Sequence, residues 1–422
     1  MKFLTLTIAL LGYVSANFLS SYPHFFIKSS ADDDANKSLK EIVKENGFAI
    51  EQHTVTTADG YILTLFRVPG FLNETIQDPI KKPVVLLQHG LEADADCWVI
   101  NSPDVTHTFV LARQGFDVWM GNNRGNKYSL AHKTLDPNDP VDKPKFWQFS
   151  FEQMGIYDLP AEIDYILEVT GQEKLSYVGH SEGTTQMFIG ASLNQEYFKS
   201  KVNVFLALAP ITRIGHVRTT LLKLLADNVD AVQHLIIDDF GMYDMFGPDW
   251  LRDQVTAAFC DTKLGSLICD AFLEMIGDMD VSVDNLSRVK TYLTHVPSGS
   301  GYRDFVHYAQ IINTDRFQRY DFGADINLDK YNSTIPPLYP IDQIKDFPIA
   351  LFGGTLDELG SVTDVDWTNQ QLGNNVVFYG QYELGHMSFL IAKDMTFFTV
   401  DAVNVIKKYS TNSFVQQGFL QE

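Results

Sequence analysis

The run Leu175-Ser176-Tyr177-Val178-Gly179-His180-Ser181-Glu182-Gly183 constrains the fold of this chain more than any other: an apolar stretch leads into G-x-S-x-G and a helix-forming stretch follows. Small residues two positions either side of Ser181 let the backbone turn sharply from strand to helix. A serine hydroxyl becomes a useful nucleophile only when such a turn holds it beside a base. Ser181 is therefore the candidate nucleophile. Five residues with three fixed letters also describe an ordinary surface turn, so the neighbouring segments must decide.

Those segments alternate strand and helix. Glu51 to Val68 alternates apolar and polar residues around Asp59-Gly60 and reads as a hairpin at the antiparallel edge of a sheet. Val84 to Leu87 is a short apolar strand ending at Gln88-His89-Gly90; Val105 to Arg113 is helical; Phe116 to Met120 is a second strand; Phe151 to Val169 has helical spacing. Leu175 to Val178 then feeds Ser181, and Val204 to Ala209 follows. This rhythm implies an α/β fold with a mostly parallel central sheet and helices on both faces. From Ile211 to Ile344 the rhythm changes to helical patterns, as in Leu221 to Ile237 and Thr256 to Ile276, with no short buried strand evident. Strands resume at Ile349 to Phe352 and Val376 to Tyr379, and a helix closes the pattern over Met395 to Tyr409. The expected organisation is a core in two parts, 38–210 and 345–412, interrupted by a helical cap over 211–344.

At 422 residues and 45% hydrophobic content the chain has material for a large core. A formal net charge of -21 argues against a nucleic-acid partner and against docking on anionic membrane. Met1-Lys2, the apolar run Phe3 to Val14 and Ser15-Ala16-Asn17 read as a signal peptide over 1–16, too short to span a bilayer, which takes about 20 apolar residues. A soluble protein of the secretory pathway is expected, lysosomal or secreted. Four N-x-[ST] sequons, at Asn36, Asn73, Asn285 and Asn332, are glycosylation candidates on that route. The acidic run Asp32-Asp33-Asp34 reads as a solvated face. Of three cysteines, Cys260 and Cys269 share one helical stretch, either as a disulfide or as two buried thiols, and Cys97 reads as a core thiol.

In a sheet of this kind, chemistry collects at the carboxyl ends of strands. Three ends carry suitable groups: Ser181, Asp357 after Gly353-Gly354, and His386 in Leu384-Gly385-His386-Met387. The order Ser, Asp, His is that of α/β-hydrolases. Asp364 competes with Asp357 for the acid.

Leu87-Gln88-His89-Gly90-Leu91, Trp98-Val99-Ile100-Asn101, Val118 to Gly125, Phe146-Trp147, Tyr157-Asp158-Leu159-Pro160 and Gly179 to Thr185 resemble the acid lipase family that includes lysosomal acid and gastric lipases. Gly47 to Pro69, with Asp59-Gly60-Tyr61-Ile62-Leu63, is similar to that family's N-terminal region. The resemblance runs from about residue 40 to 400 and implies an α/β-hydrolase core, an inserted helical cap, and hydrolysis of lipid esters at a lipid–water interface. Residue by residue, it implies Ser181 as nucleophile, His386 as base and Asp357 as acid, although the spacing after Gly353-Gly354 is one residue longer than the family pattern. It also implies an oxyanion hole from the backbone N–H groups of Leu91 and Glu182, and pairing of Cys260 with Cys269 in the cap. Neither the residues nor the resemblance calls for a metal or a cofactor.

Glu182 departs from the family, in which glutamine commonly follows the nucleophile. A carboxylate beside a developing oxyanion is unfavourable unless it is protonated or turned away. Protonation would restrict activity to acidic pH; pairing away from the hole is the plainer reading. His89, His180 and Arg124 read as structural. A carboxylesterase or acyltransferase would use the same triad, and a non-catalytic lipid carrier would have no need of it.

Overall fold

The structure is a computed structural model describing residues 33–74, 82–247 and 282–410. Within Asp34–Glu422 the described residues centre on one nine-stranded sheet. The hairpin forms where the alternation predicts it, as β1 (Glu51–Thr56) and β2 (Tyr61–Val68), and Gly60 takes the turn with φ +104°. Six parallel strands follow across the sheet: β3 (Val84–Gln88), β4 (Asp117–Met120), β6 (Leu175–His180), β7 (Val202–Leu208), β10 (Ile349–Gly354) and β11 (Val376–Tyr382). Their order is β1-β2-β4-β3-β6-β7-β10-β11, with the short β5 (Ala131–His132) beside β2. Central strands are buried on both faces, which is why they read as continuous apolar runs.

Side-chain alternation sorts the core into two layers. Val85, Leu87, Val178, Leu206 and Phe352 face one side, under helices α1 (Leu39–Glu45), α2 (His107–Arg113) and the C-terminal helix. Leu86, Tyr177, Phe205 and Leu351 face the other, under α3 (Leu159–Thr170) and α4 (Glu182–Leu193). Helices therefore cover both faces of the sheet.

Between β7 and β10 the described residues include α5 (Thr220–Asp227), α6 (Val229–His234), α7 (Val289–His295) and α8 (Tyr302–Thr314). One sequence expectation is corrected here. Asp244–Met245 (β8) and Ser300–Gly301 (β9) form a two-residue antiparallel ladder, too short to leave a periodic signal. The expected helix over Thr256 to Ile276, and the Cys260–Cys269 pairing with it, lie outside the described residues. Beyond β10 come α9 (Val362–Leu372) and α10 (Val403–Tyr409).

Two long helical patterns are also less regular than their spacing suggests. Phe151 to Thr170 contains a wide π turn at Met154–Asp158, and the closing helix opens with another at Phe397–Ala402. At the first, a Cβ on Gly155 would meet the Gln186 carbonyl of α4 at 2.6 Å, so the backbones approach only because residue 155 is glycine. Asp34, expected in a solvated run, instead receives Arg288 at 2.8 Å and Lys37 at 3.0 Å.

Candidate active site

Parallel register aligns the strand ends. Gln88 lies opposite Gly179, His180 opposite Leu208, and Leu208 opposite Phe352, so the segments after β3, β6 and β10 emerge on one edge. Ser181 leaves that edge with φ 52° and ψ -117°, a conformation that side chains rarely adopt, and α4 starts at the next residue. Both flanking glycines are required by backbone proximity. A Cβ on Gly179 would sit 2.7 Å from the Gly183 carbonyl group, and one on Gly183 only 2.3 Å from the Gln88 carbonyl oxygen.

The structure brings Ser181, His386 and Asp357 together. The Ser181 hydroxyl donates to His386 Nε2 at 2.7 Å, and His386 Nδ1 lies 2.9 Å from Asp357 Oδ2. A carboxylate only accepts, so the imidazole proton resides on Nδ1 and leaves Nε2 free to take a proton from the serine. Asp357 is fully buried, and its Oδ1 accepts the N–H groups of Leu359 (2.9 Å) and Gly360 (2.7 Å). The stretch from Gly354 to Asp357 runs through a turn joined to the histidine loop, where Thr355 N–H donates to the Tyr382 carbonyl and Leu356 N–H to the Leu384 carbonyl. His180 Nε2 donates to the His386 carbonyl at 3.0 Å, and Ser388 Oγ accepts the Gly385 N–H.

Asp364, the competing acid, is elsewhere. It lies in the first turn of α9, where Ser361 caps the helix, and its carboxylate takes His216 Nδ1 at 2.8 Å and Arg213 Nε at 3.2 Å. His216, Asp315 and Asp364 converge closely enough to suggest a metal group, but Arg213 already brings a cation to both aspartates.

Gly90 and Leu91 border Ser181: a Cβ on Gly90 would stand 2.9 Å from the Ser181 Cβ. His89 fixes that loop. Its Nδ1–H donates to the Gly90 carbonyl, and Nε2 accepts Asn123 N–H (3.0 Å) and the Asn126 side-chain amide (3.1 Å). Complete burial pushes its pKa down to about 4, so it stays neutral and holds one tautomer. Arg124 is likewise structural: buried, it donates to Asp158 (2.9 Å) and Asp59 (2.6 Å) and lies over the Tyr61 ring.

The Glu182 side chain turns into the protein, where Oε1 accepts from Asn123 Nδ2 at 3.2 Å and Gln186 Nε2 at 3.3 Å. Its backbone N–H, at the first position of α4, has no carbonyl of its own helix to bond.

Ser181 and His386 open into an apolar cavity of about 170 Å³. Its walls come from the core edge (Leu91, Met387), from α5 and α6 (Leu225, Val229), and from α8 (Phe305, Ile312). Sequence reasoning did not single these wall residues out, because an apolar helix stripe reads the same whether it lines a cavity or fills a core. A hydroxyl poised on an oriented imidazole, with backbone donors beside it and an apolar chamber in front, can attack the carbonyl of an ester carrying hydrocarbon chains.

The chain is similar to known proteins along most of its length. Residues 39–102 match the model of a partial alpha/beta-hydrolase lipase region, and residues 83–252 match the alpha/beta hydrolase fold. Lipase member K of Homo sapiens is 37% identical, covering 87% of this chain and 89% of that protein. Human lysosomal acid lipase/cholesteryl ester hydrolase is 36% identical (90% and 93% covered), and gastric triacylglycerol lipase of Bos taurus 34% (88% and 91%). Among solved structures, an alpha/beta hydrolase from Penicillium sp. sh18 aligns with TM-score 0.51 at 12% identity over 86% of this chain and 99% of that one, a likeness of fold.

Proposed function

The chain belongs to the acid lipase family of α/β-hydrolases, and we propose that it hydrolyses lipid carboxylic esters, triacylglycerols or sterol esters, through an acyl-enzyme on Ser181 at acidic pH. The observation that carries this reading is the Ser181–His386–Asp357 relay opening into a cavity walled by aliphatic and aromatic side chains. In the proposed cycle His386 Nε2 takes the Ser181 proton as Oγ attacks the ester carbonyl. Asp357 stabilises the imidazolium, and the N–H groups of Leu91 and Glu182 hold the oxyanion, each donor contributing about 3 kcal/mol. The same imidazolium protonates the departing alcohol, and water then repeats the sequence on the acyl-enzyme.

Further parts of the reading concern the chain's organisation and route. The proposed division is a cap over 211–344 inserted between core parts 38–210 and 345–412; that the described helices α5, α6 and α8 wall the cavity supports it. Residues 1–16 direct the chain into the secretory pathway, towards the lysosome or the outside. The relatives named lysosomal acid lipase and gastric lipase support that route. Glycans attach at Asn36, Asn73 and Asn332, which are exposed. Asn285 is a poorer acceptor, since its Nδ2 donates to Asn101 and Ser102.

The test is hydrolysis of an emulsified long-chain ester against a short soluble ester from pH 4 to 8, with Ser181→Ala as control. Preference for the emulsified ester, lost with Ser181, is expected. No hydrolysis of either ester sinks the enzyme reading.

A further inference from the structure

Two neighbouring asparagines follow the end of β4, and their side chains serve different parts of the molecule. Asn122 is fully buried and holds scaffold: its Nδ2 donates to the Thr64 carbonyl at 2.9 Å, and its Oδ1 accepts Ala95 N–H at 3.0 Å and Asn126 Nδ2 at 3.1 Å. Asn123, also buried, bonds to both sides of the candidate oxyanion hole. Its backbone N–H donates to His89 Nε2 at 3.0 Å, its Oδ1 accepts the Gln88 side-chain amide, and its Nδ2 donates to Glu182 Oε1 at 3.2 Å. Gln88 and His89 lead directly into Gly90-Leu91, and Glu182 itself bears the second N–H.

The Asn123 amide fits in one orientation. Glu182 Oε1 accepts from both Asn123 Nδ2 and Gln186 Nε2 (3.3 Å), so a flipped Asn123 would set oxygen against oxygen at Glu182 and NH2 against NH2 at Gln88. The backbone leaves room for this path. A Cβ on Gly121 would stand 2.0 Å from Gln88 Oε1, so the Gln88 side chain reaches Asn123 because residue 121 is glycine. Asn123 is anchored from both sides, by Gly121 N–H on the Leu87 carbonyl (3.0 Å) and by Arg124 N–H on Asp158 Oδ2 (3.3 Å). A fixed amide therefore spans the root of the loop after β3 and the first residue of α4.

We infer that Asn123 is a positioning residue that fixes the separation of the two oxyanion donors, Leu91 N–H and Glu182 N–H. It acts through Gln88 and His89 on one side and Glu182 on the other, and has no part in proton transfer. The inference rests on the hydrolase reading above.

The energetic reason is preorganisation. Donors aimed at a charge that develops only in the transition state lower the barrier when they are held in place beforehand, and a misplacement of about 1 Å costs about a hundredfold in rate. The ground-state ester carbonyl carries little of that charge, so loosening the donors weakens the transition state more than the bound substrate. The loss falls on kcat and largely spares KM.

Asn123→Ala removes both side-chain bonds and leaves the His89 bond in place. Initial rates on an emulsified long-chain ester, taken below the unfolding midpoint, are expected to show kcat lowered about 10- to 100-fold with KM within about threefold. A long-chain alkylboronic acid gives an independent readout: Ser181 Oγ adds to boron, its proton passes to His386, and the adduct is a tetrahedral anion that resembles the transition state. Its Ki is expected to rise by the factor by which kcat/KM falls. Asn122→Ala, which breaks three buried bonds elsewhere, is expected to lower the unfolding midpoint while kcat stays within about threefold. Where Asn123→Ala does not fold, Gln88→Leu cuts one arm of the same brace, with a fall in kcat of about fivefold or more expected. A parental kcat and Ki in whichever of these two variants folds overturns the inference, and so does an equal loss of kcat in Asn122→Ala. Absence of ester hydrolysis by the parent overturns the hydrolase reading and this inference with it, whereas full hydrolysis by both the parent and Asn123→Ala overturns the inference alone.

Discussion

Replacing Asp357 by asparagine tests the relay most directly, because both oxygens of that carboxylate are engaged. Oδ1 accepts two backbone N–H groups, from Leu359 and Gly360, and Oδ2 accepts His386 Nδ1–H at 2.9 Å. The side-chain orientation in Asp357→Asn that keeps both backbone bonds places the new NH2 group against Nδ1. His386 must then carry its proton on Nε2, 2.7 Å from the Ser181 hydroxyl, where it has no lone pair for the serine proton. Charge adds a second loss. A carboxylate with its centre about 4 Å from a developing imidazolium contributes about 4 kcal/mol at an effective dielectric of about 20, roughly a thousandfold in rate. Together the two effects predict a fall in kcat of about 10³- to 10⁴-fold with little change in KM, measured as initial rates on an emulsified ester, while circular dichroism confirms the fold. Asp364→Asn, whose parent carboxylate contacts Arg213, His216 and Ser361 and not His386, is expected to keep kcat within about threefold. A kcat for Asp357→Asn within tenfold of the parent, or a collapse in Asp364→Asn, refutes the argument.

Two further outcomes concern stability. Arg124→Met leaves Asp158, fully buried, without its cation; the expected cost is about 3–5 kcal/mol in denaturant unfolding, and a change under 1 kcal/mol would contradict the buried-pair argument. His295, at the end of α7, is held by Asp96 (2.7 Å), which also takes Lys127 (2.7 Å) and the Tyr128 hydroxyl (2.9 Å). Burial works against the His295 proton, but the Asp96 carboxylate outweighs it and its pKa lies above the ordinary histidine value. Such a group stabilises fully below the unfolded pKa, and the contribution is lost as pH rises through the folded one. His295→Gln is therefore expected to lower the unfolding midpoint more at pH 5 than at pH 8.5, and an equal drop at both would show that the imidazolium contributes nothing.

Helix breaks were harder to read than strands. The apolar runs at Val84, Leu175 and Ile349 are strands in the structure because burial on both faces admits few polar residues. The π turns at Met154–Asp158 and Phe397–Ala402 preserve enough helical spacing to escape notice, and the two-residue ladder of β8 and β9 is shorter than any period. Asp357 was ambiguous for a related reason: spacing from Gly353-Gly354 fits more than one loop path, and only the turn through Thr355 and Leu356 chooses among them.

The sequence by itself determined the strand–turn–helix at Ser181, since glycine at 179 and 183 and a serine between them are local requirements of one sharp turn. It also determined the order of strand and helix, because periodicity is written along the chain. Tertiary structure alone decided which aspartate meets His386, what lines the cavity, and what becomes of the Glu182 carboxyl. Those depend on contacts between residues far apart in sequence, such as Glu182 with Asn123, where a buried acid demands a partner but no local pattern says which one the fold will bring.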